Sequence, residues 1–282
     1  MAALLHEIDA LGRFDEAVIA AHGRNIEGLR EFIAPYCADV VADVVGLRAE
    51  QIRRLADTFS AAGSAGVHMS TGVNMGRHGT LCYWLLQMLS FVTGNLDKVG
   101  GNFYGEGFYP AAKAGRIDLG RVFFSSRFGE MRTIRGTLSA NLLPCTNMLE
   151  RPDINICGLD LQYEPFVQYT DAVAPPIAER REEWWIFARL LQARGAPSVL
   201  DQQPPRPFAC LEKMLARSDI SMEQLRASPC HTVVLDKKPL GRFYSDFIQT
   251  DERRVDCCPA LFAEAIASAR TQFDATKAAP AW

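Results

Sequence analysis

The chain lacks most of the short patterns that announce a chemistry. None of its eight cysteines (positions 37, 82, 145, 157, 210, 230, 257 and 258) forms a C-x-x-C, which removes the common zinc and thioredoxin-like signatures. Cys257 and Cys258 are the close pair, but neighbours in a strand face opposite ways and do not share a metal. Most of the cysteines are expected to be reduced, buried and inert. The five histidines never take H-E-x-x-H spacing. No strand candidate is followed by G-x-G-x-x-G, which argues against an ordinary nicotinamide-dependent oxidoreductase. No apolar run reaches the ~18 residues that a membrane span needs. Basic side chains number 30 and acidic ones 33, so charge gives no case for nucleic acid. The first residues carry acids and no basic n-region, so a cytoplasmic chain without a signal peptide is expected.

What remains is a chain of 282 residues, 48% apolar and 22% charged. That is enough for one large or two ordinary domains with a packed core. Its organising stretch is residues 65–101. A short apolar run at 65–69, bounded by Gly63 and Gly72, suits a buried strand. Gly72, Gly76 and Gly79 follow, with Asn74, Arg77 and His78 between them. Leu81, Trp84, Leu85, Met88, Leu89 and Val92 then recur at the spacing of a buried helix. Strand, glycine loop and helix can present backbone N–H groups to an anion at the helix start. An ordinary βα turn would need the same glycines.

The phrase TGVNMGRHGT…TGNLDKVGGN resembles a signature in the large subunits of molybdopterin oxidoreductases, the DMSO reductase and formate dehydrogenase superfamily. There a "tGv…nGt" loop opens a long apolar helix ending in "TGNldrpGG". GLRAEQIRRLADTFSAA, upstream, matches that family's "Gv.aeqIr.lA..fa.A". FVQYTDAVAPP is similar to "yADvvLPp". SANLLPCTNM and INICGLDLQYEP fall where the family has a strand ending in "GNP" and a strand ending in Asp. The chain departs from the family in three places. GEGFYP replaces an "RGqnN"-like phrase, with Glu106 near the usual arginine. Met75 stands where a polar residue is usual. Pro176 runs almost directly into Glu183, without the intervening "n.eGR.q" stretch.

Short helices are expected at 4–11, 14–21, 26–33, 37–45 and 49–61, with Gly46 and Gly63 as stops. Leu4, Leu5, Ile8 and Leu11 share one face, and Ile52, Leu55, Ala56 and Phe59 another. A long aromatic loop covers 102–120. Strands are predicted at 134–140 and 154–159. A helix over 179–195 carries Trp184, Phe187, Ala188 and Leu191 on one face and ends at Gly195. Ser221 and Gln224 form a possible capping box. A hairpin is predicted from 243–250 and 255–257, and a last helix at 262–269.

The expected fold is α/β, with two partial Rossmann-like units, a helix-rich N-terminal part and parallel or mixed sheets covered by helices. The domains are placed at 1–110 and 111–282. The resemblance implies an internal fragment of a molybdopterin enzyme that holds the guanine dinucleotide arms of a Mo-bis(molybdopterin guanine dinucleotide) cofactor. By resemblance, Thr71, Gly72, Asn74 and Met75 contact phosphates or base edges, and Asn141, Asp160 and Glu183 bind ribose or guanine. A carboxylate at a strand end suits that role, and a turn or N-cap role suits Asp160 equally. Neither the metal ligand nor the iron–sulfur cysteines of the family are found here. The partners implied are the remaining enzyme segments or a complementary chain, with an electron-transfer subunit. The alternative is a nucleotide- or partner-binding module that has lost the redox site. Trp184, Trp185, Phe123 and Phe124 are expected to be exposed faces.

Overall fold

A computed structural model describes residues 1–103, 105, 144–154, 162–201, 212, 215–237, 239–248 and 250–278. The chain divides into two compact units, Met1–Tyr104 with Pro239–Trp282, and Gly105–Lys238. The fold is mixed α/β and helix-rich, with small parallel and antiparallel sheets.

Unit 1 opens with five helices: α1 (Ala2–Ala10), α2 (Glu16–His22), α3 (Ile26–Ile33), α4 (Ala38–Val45) and α5 (Ala49–Ala61). Local chemistry sets their ends. Asp15 Oδ1 accepts the Val18 N–H at 3.0 Å and caps α2. Gly46, at φ +70°, closes α4 through a bond to the Ala42 carbonyl, a conformation glycine takes without penalty. Leu5, Ile8, Ile52 and Ala56 point inward as their spacing predicts, while Leu55 is 51% exposed. After the short α6 (Thr71–Asn74) comes α7 (Gly79–Val92). Leu81, Trp84, Leu85, Met88, Leu89 and Val92 are all buried, as the periodicity requires, and Leu86 and Phe91 join them.

The predicted strand at 65–69 does not form. That segment is irregular, and side chains hold it where a neighbouring strand would. Asn95 Oδ1 accepts the Ala65 N–H at 3.0 Å. Asn102 grips Val67 on both sides, accepting its N–H and donating to its carbonyl, each at 2.7 Å. These bonds satisfy backbone groups that a ladder would otherwise serve. Gly101 allows this closeness, because a Cβ there would overlap the Asn95 carbonyl. The TGN…GGN phrase is therefore a clamp on the chain entering the glycine loop.

The hairpin predicted over 243–257 is also replaced. Phe243–Phe247 winds into a helical turn. Asp97 Oδ2 accepts the Phe243 N–H at 2.7 Å, and Tyr244 stacks on His22 with ring centroids 3.9 Å apart. The strand β5 (Val255–Asp256) then pairs in parallel with β1 (Gly23–Arg24). The last helix, α10 (Ala263–Ala278), runs well past its predicted end. Phe262, just before it, packs against Trp84, and Phe273 packs edge-on against Tyr36. Those contacts put the C-terminal segment with unit 1, where the sequence reading had it in a second domain from 111 to 282.

Unit 2 contains a three-stranded antiparallel sheet in the order β2 (Asp153–Ile154), β3 (Phe166–Thr170), β4 (Thr232–Val234). Helix α8 (Glu183–Ala193) precedes α9 (Met222–Ala227). Ser221 and Gln224 form the predicted capping box at α9. Val167, Tyr169, Leu215, Ile220 and Leu225 make a small core. Two- to five-residue strands in a parallel pair and an antiparallel sheet do not amount to the expected Rossmann-like units among the described residues. The predicted strand at 134–140 and most of that at 154–159 lie outside them, as do Phe123 and Phe124.

Candidate functional site

The glycine loop forms one exposed turn and a half of helix leading into α7. Val73 and Asn74 donate to the Ser70 carbonyl at 3.0 and 3.1 Å, and Met75 donates to the Thr71 carbonyl at 2.9 Å. Gly79 closes the loop by donating to the Gly76 carbonyl at 3.0 Å. Of the three glycines, Gly79 is under the tightest steric demand. It is buried, and a Cβ there would collide with the Asn74 carbonyl group. Gly72 has the opposite character: nothing lies within 4 Å of where its Cβ would stand. It does not adopt a left-handed φ, so open approach is its distinguishing property.

Thr71, Gly72, Asn74 and Met75 are thus brought together on an exposed turn, with Met75 82% exposed. Thr80 and Leu81, in the first turn of α7, have no carbonyl behind them to receive their N–H groups. Arg77 is exposed and has no ion pair among the described residues. His78 is engaged: its Nε2 lies 2.6 Å from Gln272 Oε1 of α10. An N–H without a carbonyl partner at the exposed Thr80, beside a cation at the start of a 14-residue helix, suits an anion. The sequence signal for Arg77 is its place between Gly76 and Gly79.

Glu183 is the exposed first residue of α8 in unit 2. Its neighbours are committed locally. Glu182 Oε2 accepts the Trp184 Nε1–H at 2.8 Å. The Trp185 ring lies 5.7 Å from the guanidinium carbons of both Arg181 and Arg189. Trp184 and Trp185 are half-buried, whereas Phe187 is 64% exposed. Asn141 and Asp160 lie outside the described residues.

Unit 2 also holds a polar cluster around Glu150 that the sequence pattern does not announce. Glu150 is 4% exposed and takes Arg180 at 2.7 Å. It also accepts the Asn147 N–H at 3.1 Å, while Asn147 Oδ1 accepts the Leu149 N–H at 2.8 Å. The Leu149 carbonyl receives the N–H groups of Val173 and Ala174. Burial pushes the Glu150 carboxyl up, but backbone donors at Asn147 and Ile177 and the Arg180 guanidinium outweigh it, holding the group below the ordinary glutamate range. Its trace in the sequence is only a short N-x-x-E, a reciprocal turn spacing like that of a capping box.

Among the described cysteines Cys257 is buried, Cys37, Cys82 and Cys258 are half-buried, and Cys145 and Cys230 are exposed, so the burial expected of most of them is not found. Burial raises the Cys257 thiol to about 11, leaving it protonated and unreactive at neutral pH. No helix among the described residues is long and apolar enough to cross a membrane.

Geometry and fold together define a mixed α/β protein with an exposed glycine turn at a helix start. No family model matches the chain. It is 30% identical over 96 residues to formate dehydrogenase H of Escherichia coli (strain K12), a match spanning 34% of this chain and 13% of that protein. Acetylene hydratase from Pelobacter acetylenicus shares the fold, with a TM-score of 0.59 and 12% identity, over 94% of this chain and 48% of the other. The chain therefore spans less than half the length of either protein. These findings support the resemblance to the DMSO reductase and formate dehydrogenase superfamily.

Proposed function

We propose that the chain is a portion of a molybdopterin-dependent oxidoreductase and that it holds the guanine dinucleotide arms of the cofactor. The observation carrying this reading is the 96-residue match to a formate dehydrogenase, joined to a glycine turn that leaves Gly72 open. The fit to a phosphate is physical: backbone can be approached at Gly72, α7 offers an N–H donor at Thr80, and Arg77 lacks a carboxylate among the described residues. Thr71, Gly72, Asn74 and Arg77 would hold phosphate oxygens. Met75 supplies no polar atom beyond its backbone, so the turn around it acts through main chain. Asn141, Asp160 and Glu183 would take ribose or guanine. When bound, the molybdenum centre supplies two-electron redox chemistry, and the protein binds and orients it. Further segments of the enzyme or a complementary chain would complete the site, and an electron-transfer subunit would serve it.

Titrating the chain with GDP by calorimetry tests the loop. Saturable binding to wild type, lost in a folded Gly72→Val variant, is expected, because a branched side chain blocks the open approach. Equal binding by both would make the loop a packing turn only. No GDP binding by folded protein would leave the alternative reading, a partner-binding module without redox chemistry. That reading draws on the shortened stretch after Pro176 and on the exposed apolar side chains Met148, Leu149, Val173 and Ile177.

A further inference from the structure

A cavity of about 280 Å³ opens in unit 1 between α3 and α10, away from the glycine loop's own residues. Its apolar lining includes Phe32, Ile266, Ala263 and Ala267. Two charged side chains also line it, Arg270 and Glu31. Arg270 is fixed in place. Its guanidinium carbon sits 5.9 Å from the Phe32 ring centre, and its charge acts on the Tyr36 hydroxyl, whose pKa burial raises and Arg270 pulls down. Its Nε is closed off from solvent and has no hydrogen-bond partner. No carboxylate forms an ion pair with it among the described residues. A half-buried guanidinium beside apolar walls and in no ion pair, with Glu31 at the same cavity but not bridged to it, is an unfinished arrangement, because partly desolvated charges are ordinarily paired.

We infer that this cavity binds a short-chain monocarboxylate, with its carboxylate on Arg270 and its alkyl chain along Phe32 and Ile266. The apolar lining favours a ligand with a tail. Glu31, exposed at the same cavity, opposes a second negative charge and so disfavours inorganic phosphate. The guanidinium selects the anion over the amine of equal length.

Calorimetric titration of the full chain with butyrate, formate, inorganic phosphate and butylamine tests this. Butyrate is expected to bind saturably at one site, about tenfold or more tighter than formate, which lacks the alkyl chain. Phosphate and butylamine are expected to give no saturable heat. Arg270→Gln is expected to weaken butyrate about tenfold or more. If that variant melts early, Ala263→Leu fills the cavity while leaving Arg270 in place, and is expected to abolish binding. Failure of butyrate to bind, tight binding of butylamine or phosphate, or undiminished butyrate affinity in folded Arg270→Gln or Ala263→Leu would each overturn the assignment.

Discussion

Helices α7 and α8 each carry an apolar face legible from sequence spacing, yet only one of them is fully covered. In α7 the stripe from Leu81 to Val92 is buried, and Phe91 on a second face is 0% exposed. In α8 the buried side chain is Ala188, while Phe187, Leu190 and Leu191 are 64%, 49% and 46% exposed. Periodicity therefore identifies which face is apolar, whereas burial depends on what the rest of the fold brings to that face. Phe32 and Phe262 close on Trp84 of α7 from elsewhere in unit 1. Among the described residues of unit 2, α8 receives no such cover, and its aromatic Trp185 is shielded by arginines instead.

The largest expected effect tests that contrast directly. Phe91→Ala should destabilise unit 1 by about 3–5 kcal/mol, through lost burial and a cavity in a packed core. Phe187→Ala should change stability by no more than about 0.5 kcal/mol, as surface substitutions do. Urea unfolding of the two variants, read with segment-resolved amide exchange, measures both. Comparable losses would mean that the α8 face is covered in solution, and the contrast between the helices would fail.

Next in size is Asn102→Ala. It leaves the Val67 N–H and carbonyl without their side-chain partner, at roughly 1–3 kcal/mol per group that stays buried. Amide exchange at residues 65–69 should accelerate while α7 stays protected. Unchanged exchange there would mean that another element supports this segment, as the predicted strand would have required.

The third test moves to unit 2 and uses pH. The Glu150 carboxyl titrates below its ordinary value of 4.5 in the folded state. A depressed carboxylate contributes stability that is fully present above the unfolded pKa. That stability is lost as pH falls from the mid-4s through the folded pKa. Unit 2 melting should therefore drop over that range, and Glu150→Gln should flatten the drop while lowering stability at pH 7. Unit 1 should keep its own acid response in the variant. Parallel loss of the response in both units would show that Glu150 does not act locally.

How much of this was legible in the sequence follows from the range of each interaction. The limits of α3 and α5, the Gly46 stop and the Ser221–Gln224 box rest on contacts within one or two turns, and all were readable. The α7 stripe was readable because 3.6-residue periodicity repeats across the whole helix. The clamp of Asn102 on Val67 and the pairing of β1 with β5 join residues far apart in the chain, so local pattern mis-assigned both segments as strand and hairpin. The same holds for α10 closing on Trp84 and Tyr36. At the candidate site, a glycine-bearing connection into α7 was readable, while its helical turn at Thr71–Asn74 and which glycine is sterically required were not.

That last distinction gives the smallest expected effect. Gly79 would collide with the Asn74 carbonyl if it carried a Cβ, so its absence of side chain serves packing. Gly72 has free space around it and no left-handed φ, so nothing in the fold demands glycine there. Alanine in a helical position reduces the freedom of the unfolded chain without adding strain in the folded one. Gly72→Ala should therefore leave stability unchanged or raise it by up to about 1 kcal/mol, whereas Gly79→Ala should lower it. Thermal melts of the two variants against wild type make the comparison. Under the proposed function, a glycine that the fold tolerates losing keeps the backbone open for the bound group. If Gly72→Ala instead melts well below wild type, the glycine serves the fold, and the loop loses its distinction from an ordinary turn.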